Sequence, residues 1–144
     1  MRLYLDNCCF NRPFDDQSQM RVRLETEAKL AIQNEVRDGL VELAWSYLLD
    51  FENSANPSEE RRESIARWRR LAATDTAESE VILDLARAIH QVGLKELDAL
   101  HIAAAISLGC DIFLTTDDGI LKRRKKISGI RILNPIDYYA NPDD

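Results

Sequence analysis

Two short apolar runs that each close on an acid constrain this chain more than any other feature: RLYLD at residues 2–6 and DIFLTTD at residues 111–117. Uninterrupted apolar runs of this length read as strands buried on both faces, as in a parallel sheet, and parallel strands must be joined by crossovers, usually helices. Open sheets of that kind bind ligands beyond the carboxyl ends of their strands. The run ends therefore place Asp6 and Asp117 in a functional crevice.

Apolar periodicity fills in the rest. Residues near Ser18 to Asp38 read as a long helix with Met20, Leu24, Ala28, Ala31, Ile32 and Val36 as its buried stripe, ended by Gly39. LVELAWS follows as a strand, then SYLLDFENSA as a helix that breaks at Asn56-Pro57. PSEERRESIARWRRLAA restarts a helix from Pro57, with Ile65, Trp68 and Leu71 on one face. Val81, Ile82, Leu85, Ala86, Ile89 and Val92 mark the next helix up to Gly93; Leu97, Leu100, Ala104 and Leu108 mark another up to Gly109. RIL at 131–133 is a last short strand. Strands alternating with helices predict an α/β fold, a three-layer α/β/α sandwich around a short parallel sheet. At 144 residues, with no repeat, low-complexity tract or linker, the expectation is a single domain over 1–144.

Two more acids join the crevice in this arrangement. Glu52 lies on the helix after LVELAWS and can fold back over the edge that receives Asp6, while Asp98 opens the helix before DIFLTT and approaches from the other side. Carboxylates gathered on one edge repel unless they are protonated, paired or neutralised by a cation. The nearest bases to Asp6 and Asp117 in sequence, Arg2, Arg12 and Lys122, each lie several residues away. A divalent metal is the simpler answer, and an oxygen-only donor set suits Mg²⁺ or Mn²⁺. Each acid also has an ordinary structural explanation: Asp6 as the start of a turn, Asp98 as a stabiliser of a helix N-terminus. The ordered set of four outweighs these.

Along nearly its whole length the chain resembles the PIN-domain ribonucleases, especially the VapC-type toxins of toxin-antitoxin pairs. The family's first motif, a strand ending in Asp and a small polar residue, is met by YLDN with Asp6 and Asn7; its helical Glu falls at Glu52. DALHIA is present letter for letter from Asp98, and the strand ending in Thr-x-Asp is LTTDD, with Thr115 and Asp117. Cys8 and Cys9 depart from the usual small polar or apolar residues, and Asp118 makes the register of the last acid ambiguous. The resemblance implies a Mg²⁺- or Mn²⁺-dependent endoribonuclease in which Asp6, Asp98 and Asp117 hold metal. Glu52 would act as a further ligand or as acceptor of a proton from metal-bound water, and Asn7 and Thr115 would orient the carboxylates or the phosphate. It also implies a protein antitoxin and a homodimer.

The net charge of −6 argues against a protein that coats nucleic acid broadly, but local charge matters more. KRRKK, from Lys122 to Lys126, follows directly on the Asp117 loop, so Lys122, Arg123 and Arg124 are candidates for holding a phosphate backbone. Arg61, Arg62, Arg67, Arg69 and Arg70 crowd one helix, where an acidic protein segment is an equally good partner. His101, one helical turn after Asp98 in an apolar helix, reads as a packed or hydrogen-bonded core residue. Three cysteines, two of them adjacent, give no disulfide framework, and no apolar run is long enough for a membrane span. With no signal-like N-terminal segment, the expected location is cytoplasmic. Two rivals share the acidic chemistry. A haloacid-dehalogenase-like phosphatase needs a second Asp two residues after the first, where Cys8 stands, and a phospho-receiver signalling domain needs paired acids at the first strand, which YLDN lacks.

Overall fold

The computed structural model describes residues 1–140. The expected domain runs on to 144, and its last four residues lie outside the described part. Five parallel strands form one sheet in the order β3-β2-β1-β4-β5: β1 Arg2–Leu5, β2 Glu42–Ser46, β3 Ala72–Thr76, β4 Ile112–Leu114 and β5 Arg131–Leu133. The helices are α1 Asn7–Asn11, α2 Met20–Arg37, α3 Tyr47–Ser54, α4 Glu59–Trp68, α5 Glu80–His90, α6 Glu96–Ser107, α7 Asp118–Arg123 and α8 Pro135–Ala140. This is the expected α/β fold, a parallel sheet flanked by helices.

The central strand β1 is buried on both faces. It pairs Leu3 with Leu43 and Ile112, and Tyr4 with Ala44 and Phe113. Tyr4 stacks on Phe113 at 5.3 Å between ring centroids, and Phe10 meets Trp45 edge-on at the same separation. Burying each such large apolar side chain contributes about 1.5–3 kcal/mol, and the buried side chains form one continuous cluster across the sheet. Helix α6 is the most enclosed: Ala99 and Ile102 to Ala105 are all fully buried. Gly109, at φ +70°, ends it and turns the chain into β4, a conformation that costs glycine nothing.

Three expectations need correction. The buried face of α2 is Val22, Glu25, Thr26, Ala28, Lys29, Ile32 and Gln33, whereas Met20 and Leu24 face solvent. The cause is a set of charged groups satisfied inside. Glu25 is held by Arg12 and Arg21, and the Lys29 ammonium lies 5.5 Å from the Phe10 and Trp68 rings. The helix restarted at Pro57 does not run to Ala73. It begins after Ser58, whose side chain caps it by accepting from the Arg61 amide, and ends at Trp68. After a short 3-10 turn, Ala72–Thr76 is a strand that the sequence reading missed; it lies at the sheet edge, paired only with β2. LVELAWS is a strand only from Glu42, leaving Leu40 exposed.

Candidate active site

The parallel register of β1 and β4 ends both strands at one edge. There the Asp6 amide donates to the Leu114 carbonyl at 2.9 Å, and the Thr115 hydroxyl donates to Asp6 Oδ2 at 2.8 Å. Asp6 is also the N-cap of α1: its Oδ1 accepts from the Asn7 amide at 2.8 Å. Asp117 caps α7 in the same way, accepting from the Ile120 amide at 3.1 Å, while its own amide donates to Thr115 Oγ1. Strand-ending turn and acid site are thus the same residues.

The other two acids come from the helices. Asp98, in the first turn of α6, is partly buried, and its pKa is pushed up to about 6 by burial, then by the charges of Asp6 and Asp117. Burial likewise raises the Asp6 carboxyl above the ordinary range, with the Glu52 charge adding to it and His101, Thr115 and Cys8 opposing. These mutual effects place Asp6, Asp98 and Asp117 in one electrostatic neighbourhood. Glu52, on α3, reaches back to it: its Oε2 accepts from Asn7 Nδ2 at 3.3 Å, and its Oε1 is hydrogen-bonded to His101 Nε2.

Asp6, Asp98 and Asp117 take part in none of the ion pairs among the described residues, and Glu52 pairs only with His101. Asp118 behaves differently. It is exposed and gripped by both terminal nitrogens of Arg21, at 2.8 and 2.9 Å, and Arg21 also donates to the Thr116 carbonyl. Of the two adjacent acids, Asp117 is therefore the one whose charge reaches Asp98.

The residues present fit a divalent cation. Asp6, Asp98 and Asp117 are crowded with no lysine or arginine paired to them among the described residues, ionisation of Asp98 is disfavoured by burial and then by the charges of Asp6 and Asp117, and the buried Asn7 Oδ1 has no hydrogen-bond partner. Asp6, Glu52 and His101 offer ligand atoms within 4.8 Å of one another.

His101 belongs to this site more closely than the sequence indicated. It is fully buried and hydrogen-bonded, as expected of a core histidine, but one of its two partners is Glu52. The only sequence signal was its spacing of three from Asp98, which puts both on one side of α6. Cys8 also borders the site, with Sγ 3.5 Å from Asp6 Oδ2 and from Thr115 Oγ1; Cys9 is buried against the Leu114 carbonyl and its thiol pKa is raised by that burial. Lys122 and Arg124 are exposed. Arg123 instead folds back, donating to the Gly119 carbonyl at 3.1 Å and packing on Gly93.

The PIN-domain family model matches residues 3–126, which takes in all four acids. The chain belongs to the PIN-domain family. PIN domains are nucleases, so the coarse class is a hydrolase acting on nucleic acid. Among solved structures, this PIN domain is similar to FitAcB from Neisseria gonorrhoeae, with a TM-score of 0.59 and 14% identity over 92% of this chain and 97% of that one. It is also similar to VapBC2 from Rickettsia felis, solved bound to a DNA fragment from their promoter, with a TM-score of 0.56 and 14% identity over 93% and 98%. At that identity the likeness is one of fold. Comparison with curated proteins gives no significant match. No helix among the described residues is long and apolar enough to cross a membrane.

Proposed function

We propose that this PIN domain, a single unit over residues 1–144, is a Mg²⁺- or Mn²⁺-dependent endoribonuclease and the toxin half of a toxin-antitoxin pair. The observation that carries the reading is the convergence of four acids from four separate segments on the carboxyl edge of β1 and β4, with no lysine or arginine paired to them among the described residues. Asp6, Asp98 and Asp117 are the candidate holders of metal. A cation held there would supply an activated water and charge stabilisation at the phosphate oxygens.

The chain's own groups do the rest. The Thr115 hydroxyl and the Asn7 amide fix the two oxygens of Asp6, so its carboxylate keeps one orientation. Glu52, held at both oxygens by His101 and Asn7, is placed to accept a proton from the attacking water. Lys122 and Arg124, exposed just beyond the Asp117 loop, are positioned to bind the phosphate backbone, with Arg123 bracing the helix between them. The exposed Val81 on α5 and a cleft between α5 and α6, lined by Leu83, Ala86 and Leu100 together with Arg87, His90 and Glu96, leave surface for a homodimer or an antitoxin. A cytoplasmic location accords with this role.

The test is cleavage of single-stranded and structured RNA by purified protein, with RNA ends sequenced after induced expression of wild type and Asp98→Asn. Cleavage should need Mg²⁺ or Mn²⁺, stop on chelation and vanish in Asp98→Asn. Full cleavage by Asp98→Asn, or in excess chelator, would overturn the mechanism. A small upstream reading frame encoding a DNA-binding protein that silences the activity would establish the toxin role; a nuclease unaffected by any neighbouring product would have a free-standing RNA-processing role.

A further inference from the structure

Behind Glu52 runs a buried line of side chains of which the catalytic scheme uses only the contact with His101. Ser46 Oγ and Tyr4 OH are 2.6 Å apart, Tyr4 OH and His101 Nδ1 are 2.6 Å apart, and His101 Nε2 meets Glu52 Oε1. Ser46, Tyr4 and His101 are fully buried. They come from three different elements, the ends of β2 and β1 and the first turns of α6, so the line is built by the fold and not by sequence neighbours.

Hydrogen-bond accounting gives this line a direction. A buried hydroxyl hydrogen left without an acceptor costs about 1–3 kcal/mol. Tyr4 is the one side-chain partner of Ser46 among the described residues, so the Ser46 hydroxyl is satisfied as a donor only if it donates to the Tyr4 oxygen. Tyr4 must then donate onward, and His101 Nδ1 is its acceptor. A neutral imidazole that accepts at Nδ1 carries its hydrogen on Nε2, where it faces a Glu52 oxygen. Running the line the other way, with Nδ1–H donating to Tyr4, strands the buried Ser46 hydrogen whether the ring is neutral or doubly protonated.

We infer that His101 is a positioning residue for Glu52: Ser46 and Tyr4 lock its imidazole as the Nε2–H tautomer, and that hydrogen fixes the Glu52 carboxylate facing the acid cluster. The inference rests on the nuclease reading for its catalytic consequence, but not for the tautomer. It also removes His101 Nε2 from the candidate ligands, because the nitrogen that meets Glu52 is the one that carries the hydrogen.

Nitrogen NMR of imidazole-labelled, metal-free protein tests the tautomer without reference to activity. In wild type, the buried histidine should show a protonated Nε2 and a bare Nδ1, and Tyr4→Phe should let the two tautomers mix. A hydrogen on Nδ1 in wild type, alone or together with one on Nε2, would overturn the inference. Kinetics on folded variants test the consequence. His101→Leu should lower kcat by about ten- to a hundred-fold with KM for RNA unchanged, the range found for groups that orient a metal site's carboxylates. His101→Gln, whose amide can still donate to Glu52, should recover most of it, and Gln as defective as Leu would overturn the positioning role. Asp98→Asn run alongside separates the two claims. Cleavage surviving there defeats the four-acid mechanism on which the catalytic consequence rests, whereas cleavage lost there but at the wild-type rate in His101→Leu defeats this inference alone.

Discussion

Two buried carboxylates in this fold are stabilised in opposite ways. Glu25, on α2, is fully buried and meets Arg12 Nε at 2.9 Å, Arg21 Nε at 3.3 Å and the Asn134 amide. Asp6, at the edge of β1, is 6% exposed and accepts from an amide, a hydroxyl and a thiol, all neutral, while Asp98 and Glu52 add like charge around it. Glu25 sits in a finished ion-pair network that ties α2 to the 3-10 turn at Arg12–Phe14 and, through Arg21, to Asp118 at the start of α7. Asp6 sits in an unfinished one. Burial alone therefore does not distinguish structure from function; the sign of the nearest partner does.

Substitution at the two positions should break the comparison most clearly. Glu25→Ala removes the acid that Arg12 and Arg21 share and leaves the Asn134 amide without its acceptor, while Arg12 keeps Asp15 and Arg21 keeps Asp118, so it should cost about 1.5–3 kcal/mol in urea unfolding, as loss of hydrogen bonds to a charged group does. Asp6→Asn or Asp98→Asn should leave the midpoint unchanged or raise it, since like-charge repulsion is relieved, while cleavage is lost. Equal destabilisation by all three would show that the edge acids are structural.

The second effect sharpens the contrast through pH. Asp98 has its pKa raised from 3.8 to about 6 in the folded protein, so above pH 6 the folded chain carries an ionised carboxylate in a setting that disfavours it. Its contribution runs opposite to that of a salt-bridged acid. Without metal, the Asp98 contribution to stability is greatest below about pH 4, declines as pH rises toward about 6 and levels off above that. Calorimetry at fixed ionic strength should show this decline reduced in Asp98→Asn. Mn²⁺ affinity should run the other way, rising through the same window as the cation displaces the proton. Affinity independent of pH from 5 to 7 would remove Asp98 from the site.

The smallest effect concerns the basic run beyond the Asp117 loop. Lys122→Ser with Arg124→Ser should weaken RNA binding in Ca²⁺ and flatten its logarithmic salt dependence by about 1.4, at roughly 0.7 per phosphate contact on a single strand. An unchanged slope would return both residues to the solvated surface and turn attention to the arginines of α4 and of the 3-10 turn that follows it. Of those, Arg61 and Arg69 are already engaged by Asp15, Asp50 and Asp75.

What the sequence made legible follows from how strongly each segment depends on its own residues. β1 and β4 were readable because a strand buried on both faces must be apolar throughout, and their terminal acids could be placed from strand direction alone. β3 was not, because AATDT at a sheet edge alternates between partial and full exposure and owes its conformation to pairing with β2. The face of α2 was misjudged for a related reason: periodicity counts Met20 and Leu24 as inside and Glu25 and Lys29 as outside, and cannot see two arginines and two aromatic rings waiting in the fold. His101 was legible as a buried residue but not as a partner of Glu52, a contact spanning 49 residues of chain.

The hydrogen bond from Thr115 to Asp6 joins residues 109 apart, across strands that pair directly in the finished sheet. Asp6 is made well before Asp117, with Glu52 and Asp98 between them. A chain interrupted between Asp98 and β4 therefore carries three of the four acids but lacks the strand whose end, at Leu114 and Thr115, holds Asp6. The acid cluster can assemble only once β4 has been made and has paired with β1.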